Sequence, residues 1–117
     1  MEKATNIDGI NMTISNVDKT VQGLSFYTNK QIMFLPVNVA DNFNNLVAYD
    51  ASECSITKIS RVNFVGLGRL RSLALVGNQI EKIYIETFED LKNLEILWLC
   101  KNNSKYNRFY LFNTDFL

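Results

Sequence analysis

The side chains best suited to covalent chemistry in this 117-residue chain are two cysteines, Cys54 and Cys100, and no histidine accompanies them. Without an imidazole, every Ser–His or Cys–His nucleophile arrangement is excluded, and the commonest zinc ligand is gone. Gly66 and Gly68, in Phe64-Val-Gly-Leu-Gly-Arg-Leu70, supply two glycines of a phosphate-cradling loop. The third glycine and the preceding strand are missing, so a turn is the better reading. The carboxylates are scattered. No acid–base pair, nucleophile or ligand cluster emerges, and the chain reads as non-enzymatic, with no cofactor and no metal site.

Two sequons, Asn11-Met12-Thr13 and Asn102-Asn103-Ser104, match the N-glycosylation pattern. Such matches arise by chance in a chain this rich in Asn, Ser and Thr. Asn102 falls on an inward position in the register below, which leaves Asn11 as the candidate glycosylation site.

The elements that would position these residues follow from a spacing of 24. The first stretch reads Leu46-x-x-Tyr49-x-Ala51-x-x-Cys54-x-Ile56-x-x-Ile59, then Phe64 and Leu67. The second reads Leu70-x-x-Leu73-x-Leu75-x-x-Asn78-x-Ile80-x-x-Ile83, then Phe88 and Leu91; the third opens Leu94-x-x-Leu97-x-Leu99-x-x-Asn102. A fixed period in the twenties, carried by apolar positions and an Asn, predicts a stacked solenoid. The central Leu-x-Leu alternates with period two, the mark of a strand with one buried face. Each unit is then one strand plus one return, and neighbouring strands pair in parallel about 4.8 Å apart.

Inward asparagines satisfy main-chain groups freed where the chain leaves the strand. Asn29, Cys54, Asn78 and Asn102 are expected to form this ladder, the Cys54 thiol standing in as a small, weak donor. Phe64, Phe88 and Phe112 predict an aromatic column on the return side. Cys54 and Cys100 fall two strands apart, about 10 Å, too far for a disulfide. Cys100 is thus a free thiol or a site for pairing with another chain.

The outward strand positions form three columns: Gly23, Ala48, Ser72, Ile96; Ser25, Asp50, Ala74, Trp98; and Tyr27, Ser52, Val76, Cys100. Aromatic and apolar side chains on such a face are enriched in protein–protein contacts. The expected partner-binding residues are Tyr27, Asp50, Ser52, Val76, Ile96, Trp98 and Cys100.

The pattern frays at both ends. Upstream, Val21-x-x-Leu24-x-Phe26-x-x-Asn29 repeats the strand signature, but Ile32 follows Asn29 by three residues instead of two. One inserted residue explains this. Ile10-x-Met12-x-Ile14 alternates and predicts an extra strand closing the first edge of the sheet. Downstream, Ser104, Asn107 and Asp115 replace apolar residues, and only Phe112 keeps its place. The organisation expected is an N-terminal capping segment over 1–20, repeats over 21–45, 46–69, 70–93 and 94–102 (partial), and an irregular tail or truncated repeat over 103–117.

Twelve basic and twelve acidic residues cancel, so no global field steers nucleic acid or an anionic membrane toward the chain. Apolar runs such as Ile32-Met33-Phe34-Leu35 cannot span a bilayer, which needs about 20 residues. Residues 1–8 lack the apolar region of a secretory signal.

The pattern resembles the typical leucine-rich repeat of animal proteins, which shares the Leu-x-x-Leu-x-Leu-x-x-Asn-x-Leu opening and the late Phe-x-x-Leu. The resemblance covers residues 21–102. The wording Asn44-Asn45-Leu46-Val47-Ala48-Tyr49-Asp50-Ala51-Ser52-Glu53-Cys54 looks most like secreted or receptor-type insect members. It implies an α/β solenoid with a short parallel sheet on its concave side, a capping strand before it and an irregular C-terminal end. It further implies a protein-binding module in receptor or innate-immune recognition, without enzymatic activity or cofactor, in an extracellular or cell-surface setting. Against an extracellular setting stands the missing cysteine-rich N-terminal cap. Two other readings stay open: a truncated piece of a larger receptor ectodomain that binds nothing alone, and a cytosolic scaffold, favoured by the absent signal and unpaired cysteines. Self-association through the open C-terminal end or Cys100 is a further expectation.

Overall fold

Leu73 and Leu75 alternate with Ser72, Ala74 and Val76, and the same alternation recurs at residues 48–52 and 96–100. A strand built this way aims one set of side chains inward and the other at solvent. The computed structural model describes residues 19–102 throughout, together with the short strands at 2–3 and 13–14. The described chain is α/β. Strands β1 (Glu2–Lys3) and β2 (Thr13–Ile14) precede β3 (Gly23–Ser25), helix α1 (Val39–Asn42), β4 (Ala48–Asp50), β5 (Ser72–Ala74) and β6 (Ile96–Trp98). Strands β3, β4, β5 and β6 lie side by side in that order as one parallel sheet.

The register carries the sequence spacing into space. Ala48 pairs with Ser72 and Ser72 with Ile96, 24 residues on each time, whereas Gly23 pairs with Ala48, 25 on. The extra residue can be located from the backbone bonds. Thr28 N–H donates to Ser52 O, one residue farther along than the matching bond from Glu53 to Val76. Beyond it, Ser55 to Ile32 and Gln79 to Ile56 share one separation. The insertion therefore sits between Thr28 and Ile32, at the turn where the sequence requires it.

Where each strand ends, the chain turns through a left-handed residue: Thr28 (φ 64°), Glu53 (φ 54°), Gly77 (φ 73°) and Lys101 (φ 59°). Holding a residue other than glycine there costs about 1–3 kcal/mol, and three of the four corners accept that cost. The returns pass through α1 and through two 3-10 turns, Arg61–Asn63 and Ile85–Phe88. Gly66 and Gly68 lie in the turns that follow the first of these. At Gly66 (φ +85°) an added Cβ would come within 2.7 Å of the Ala40 Cβ. Glycine lets the two returns approach.

Between sheet and returns lies one core, including Leu46, Tyr49, Ala51, Leu73, Leu75, Leu97 and Leu99 from the strand side. Phe64, Phe88, Leu67 and Leu91 come from the returns. Rings run through it in sequence: Phe26 to Tyr49 at 6.2 Å, Tyr49 to Phe64 at 6.2 Å, Phe64 to Phe88 at 5.8 Å. These separations are those of favourable aromatic pairs. Phe112, the third expected member of the return column, lies outside the described residues.

Of the expected closing strand only Thr13 and Ile14 lie among the described residues, and these two do not join this sheet. Thr13 and Ile14 pair instead with Lys3 and Glu2, antiparallel, in a separate two-stranded sheet.

Candidate binding face

Buried polar side chains tie one unit to the next and thereby fix the sheet face. Asn78 donates from Nδ2 to Ala51 O (2.9 Å) and Leu75 O (3.2 Å), and its Oδ1 accepts from Ile56 N–H (3.1 Å). Asn102 does the same one layer on, donating to Leu75 O (2.8 Å) and Leu99 O (3.0 Å) and accepting from Ile80 N–H (3.1 Å). Each amide uses both its donor and its acceptor on groups the departing strand leaves unpaired.

Cys54 holds the matching place in the first layer, where its single S–H donates to Phe26 O (3.0 Å), with Ser52 O the more distant alternative acceptor (3.5 Å). A thiol suffices there for a reason visible in the backbone. The amide that an asparagine at 54 would have to satisfy is Ile32 N–H, and it already donates to Asn29 O (3.2 Å) across the inserted residue. Burial pushes the Cys54 thiol above its ordinary pKa, so the neutral donor persists.

Asn29 itself is not in the ladder. It is exposed, and its Oδ1 accepts from Gln31 N–H in a local turn (3.1 Å). The insertion that follows it swings its side chain away from the core.

The outward columns fall as the alternation requires. Ser25, Asp50, Ala74 and Trp98 stand side by side across the four strands, as do Gly23, Ala48, Ser72 and Ile96. Trp98 is 39% exposed and Tyr27 57%, while Met33, Val62, Val65 and Tyr84, off this face, are each more exposed than Trp98. Ile96, Val76, Asp50 and Cys100 are half-buried.

Ser52 departs from expectation. It is 5% exposed and turned along the sheet, where its hydroxyl accepts from Val76 N–H (3.1 Å). It serves the next strand and offers no contact surface. Asp50 Oδ1 accepts from Ser52 N–H (2.9 Å), which fixes the carboxylate over the strand end. Asn11 lies outside the described residues.

Sequence reasoning missed two structural features. Asn63 is buried in the return, caps its 3-10 turn by accepting from Ser60 N–H (2.8 Å), and donates to Leu35 O of the preceding unit (3.1 Å). The signal was Ser60-x-x-Asn63, a capping pattern with Asn in the last place. The second is a column at positions 45, 69 and 93. Asn45 donates to Lys19 O, Arg69 to Asn45 Oδ1 and Asn93 to Gly68 O, at 2.6–2.8 Å.

Both cysteines are free thiols, Cys54 buried and Cys100 partly so. Among the described residues no three His, Cys, Asp or Glu side chains gather as a metal site, and no helix is long and apolar enough to cross a membrane. The Tyr49 hydroxyl is buried without a hydrogen-bond partner among the described residues, and burial pushes its pKa upward. It belongs to the core. No protein-family model matches the chain, and no curated protein matches it.

Proposed function

We propose that this chain is a short leucine-rich repeat solenoid that binds another protein through the outer face of its parallel sheet. It acts without catalysis or cofactor, in a recognition role at the cell surface or outside the cell. The observation that carries this reading is the coincidence of two spacings. The 24-residue period of the sequence reappears as the strand register from β4 to β6, so outward residues stack into columns that end on Trp98 and Ile96. Surfaces assembled this way suit extended protein contacts, and aromatic side chains anchor them. The two free thiols favour a second reading, a scaffold in a reducing compartment, since disulfides persist only in oxidising ones.

The test is a panel of purified extracellular proteins measured for binding by the parent, Trp98→Ala and Lys92→Glu chains. Lys92 is exposed on the return side and serves as control. Trp98→Ala should weaken any partner by about 2 kcal/mol or more, and Lys92→Glu should leave it unchanged. The reverse pattern moves the interface to the return side. A partner bound only under reducing, cytosol-like conditions favours the scaffold.

A further inference from the structure

The three outward columns carry a single charged side chain, Asp50. Elsewhere on the described surface four acids stand against bases, Arg61 meeting Asp90 at 2.6 Å and Glu89 at 2.8 Å, Arg71 meeting Glu95 at 2.6 Å, and Lys30 meeting Glu53 at 3.6 Å, while the exposed Asp41, Glu81 and Glu86 lie off the sheet face. Asp50 has no cationic partner among the described residues. One of its oxygens is held by Ser52 N–H, so the carboxylate is oriented in advance, and the other accepts no hydrogen bond among those residues. Its neighbours across the strands are Ser25 and Ala74, with Ala48 and Ser72 in the adjacent column. Small side chains thus floor a trough between Tyr27 on the first strand's side and Trp98 on the last. At about 4.8 Å per strand, Asp50 and Trp98 are about 10 Å apart, and the whole trough is about 14 Å across. An extended peptide covers those distances in about three and four to five residues.

We propose that this trough takes an extended segment of a protein partner, with a basic side chain on Asp50 and an apolar side chain about three residues away against Trp98 and Ile96. The proposal rests on the reading of the sheet face as a binding surface and adds the chemistry of what binds. A pre-oriented, half-buried carboxylate without a cation gains most from a charge-assisted hydrogen bond. It repels an acidic segment, and against a neutral apolar one it would be desolvated without compensation. The small floor admits main chain closely. The apolar end gives the segment its direction.

A phage-displayed library of random peptides, selected in parallel on the parent chain and on Asp50→Asn and Trp98→Ala variants, tests this. Asparagine keeps the acceptor for Ser52 N–H, and matching melting curves show that each variant is folded. Binders to the parent should converge on Lys or Arg spaced about three residues from an apolar side chain. A synthesised consensus peptide should shift the emission of Trp98, the chain's single tryptophan. Its affinity should fall at least about tenfold in Asp50→Asn, the scale of a charge-assisted bond, and fall again as salt rises. Binders without basic residues, or binders weakened by Trp98→Ala but indifferent to Asp50→Asn, overturn the charge assignment and leave the face standing. Binders indifferent to both substitutions, or no binders at all, sink the sheet-face reading and this proposal with it.

Discussion

Leu73 and Leu97 are sealed completely inside the molecule, whereas Leu24, which pairs with Tyr49 at the head of the same row, remains partly exposed. The contrast extends to everything around them. Residues 46–102 keep a strand separation of 24 and tie their layers with asparagines that both donate and accept. Residues 19–45 carry an extra residue, leave Asn29 in solvent, and set Ala40 where the later returns set Phe64 and Phe88. Inner strands have a neighbour on each side, so any misfit there leaves a void or an orphaned polar group. The first and last strands each have one neighbour in the sheet; Leu97 on the last stays buried, whereas at the first, where Leu24 is partly exposed, irregularities can be relieved toward solvent. The layer tolerates change in proportion to how little of it is enclosed.

The sharpest way to break this comparison is Phe64→Ala. Phe64 is fully buried between Tyr49 and Phe88, and truncating it should cost about 3–5 kcal/mol in urea unfolding. Position 40 already holds an alanine, so a loss at 64 under about 0.5 kcal/mol, ordinary for a surface site, would mean the two layers are equally forgiving. Asn78→Leu comes next, at about 1–3 kcal/mol, because it strands Ile56 N–H and Ala51 O in the interior. Asn29→Ala, by contrast, should move the midpoint by less than about 0.5 kcal/mol. Equal losses at 29 and 78 would erase the distinction between the layers.

Cys54→Asn sharpens the point, since it restores the residue found at 78 and 102. It should destabilise by about 1 kcal/mol, because Ile32 N–H is already taken and the new amide oxygen would be buried without a donor. A gain in stability would show that the inserted residue does not account for the thiol. Tyr49→Phe is the one substitution expected not to destabilise, since it removes a buried hydroxyl that has no partner among the described residues. Its melting temperature should hold or rise, with a gain of up to about 1 kcal/mol; a clear loss would reveal a partner for that hydroxyl.

The inward rows and the strand positions were legible because burial and alternation act on side-chain type, which the sequence prints directly. Leu73, Leu75, Ile80 and Phe88 could be placed from spacing alone, and so could Asn78. The misplaced residues are those whose fate hangs on backbone accounting. Asn29 carries the right side chain at the right distance from Phe26, yet with one residue inserted after it the side chain lies exposed and its Oδ1 accepts from Gln31 N–H in a local turn. Ser52 looks like any outward serine until the free N–H of Val76, 24 residues later, is seen to require its oxygen. The left-handed corners were invisible for another reason. Thr28, Glu53, Gly77 and Lys101 share a conformation but no chemistry, and only the glycine advertises it. Of the face, the columns could be read beforehand; the immobilised Asp50 carboxylate could not.

The unequal settings of the two thiols also give the molecule an internal clock. Cys54 is 2% exposed and pushed toward its neutral form by burial, while Cys100 is partly open to solvent. An alkylating reagent meets Cys100 in the native state but reaches Cys54 only when the Phe26–Cys54 layer separates. The ratio of the two labelling rates therefore compares openings of that layer with those around Cys100 at the other end of the same sheet. Followed with increasing urea, it would report whether the layer beside the inserted residue parts before the rest of the molecule or together with it.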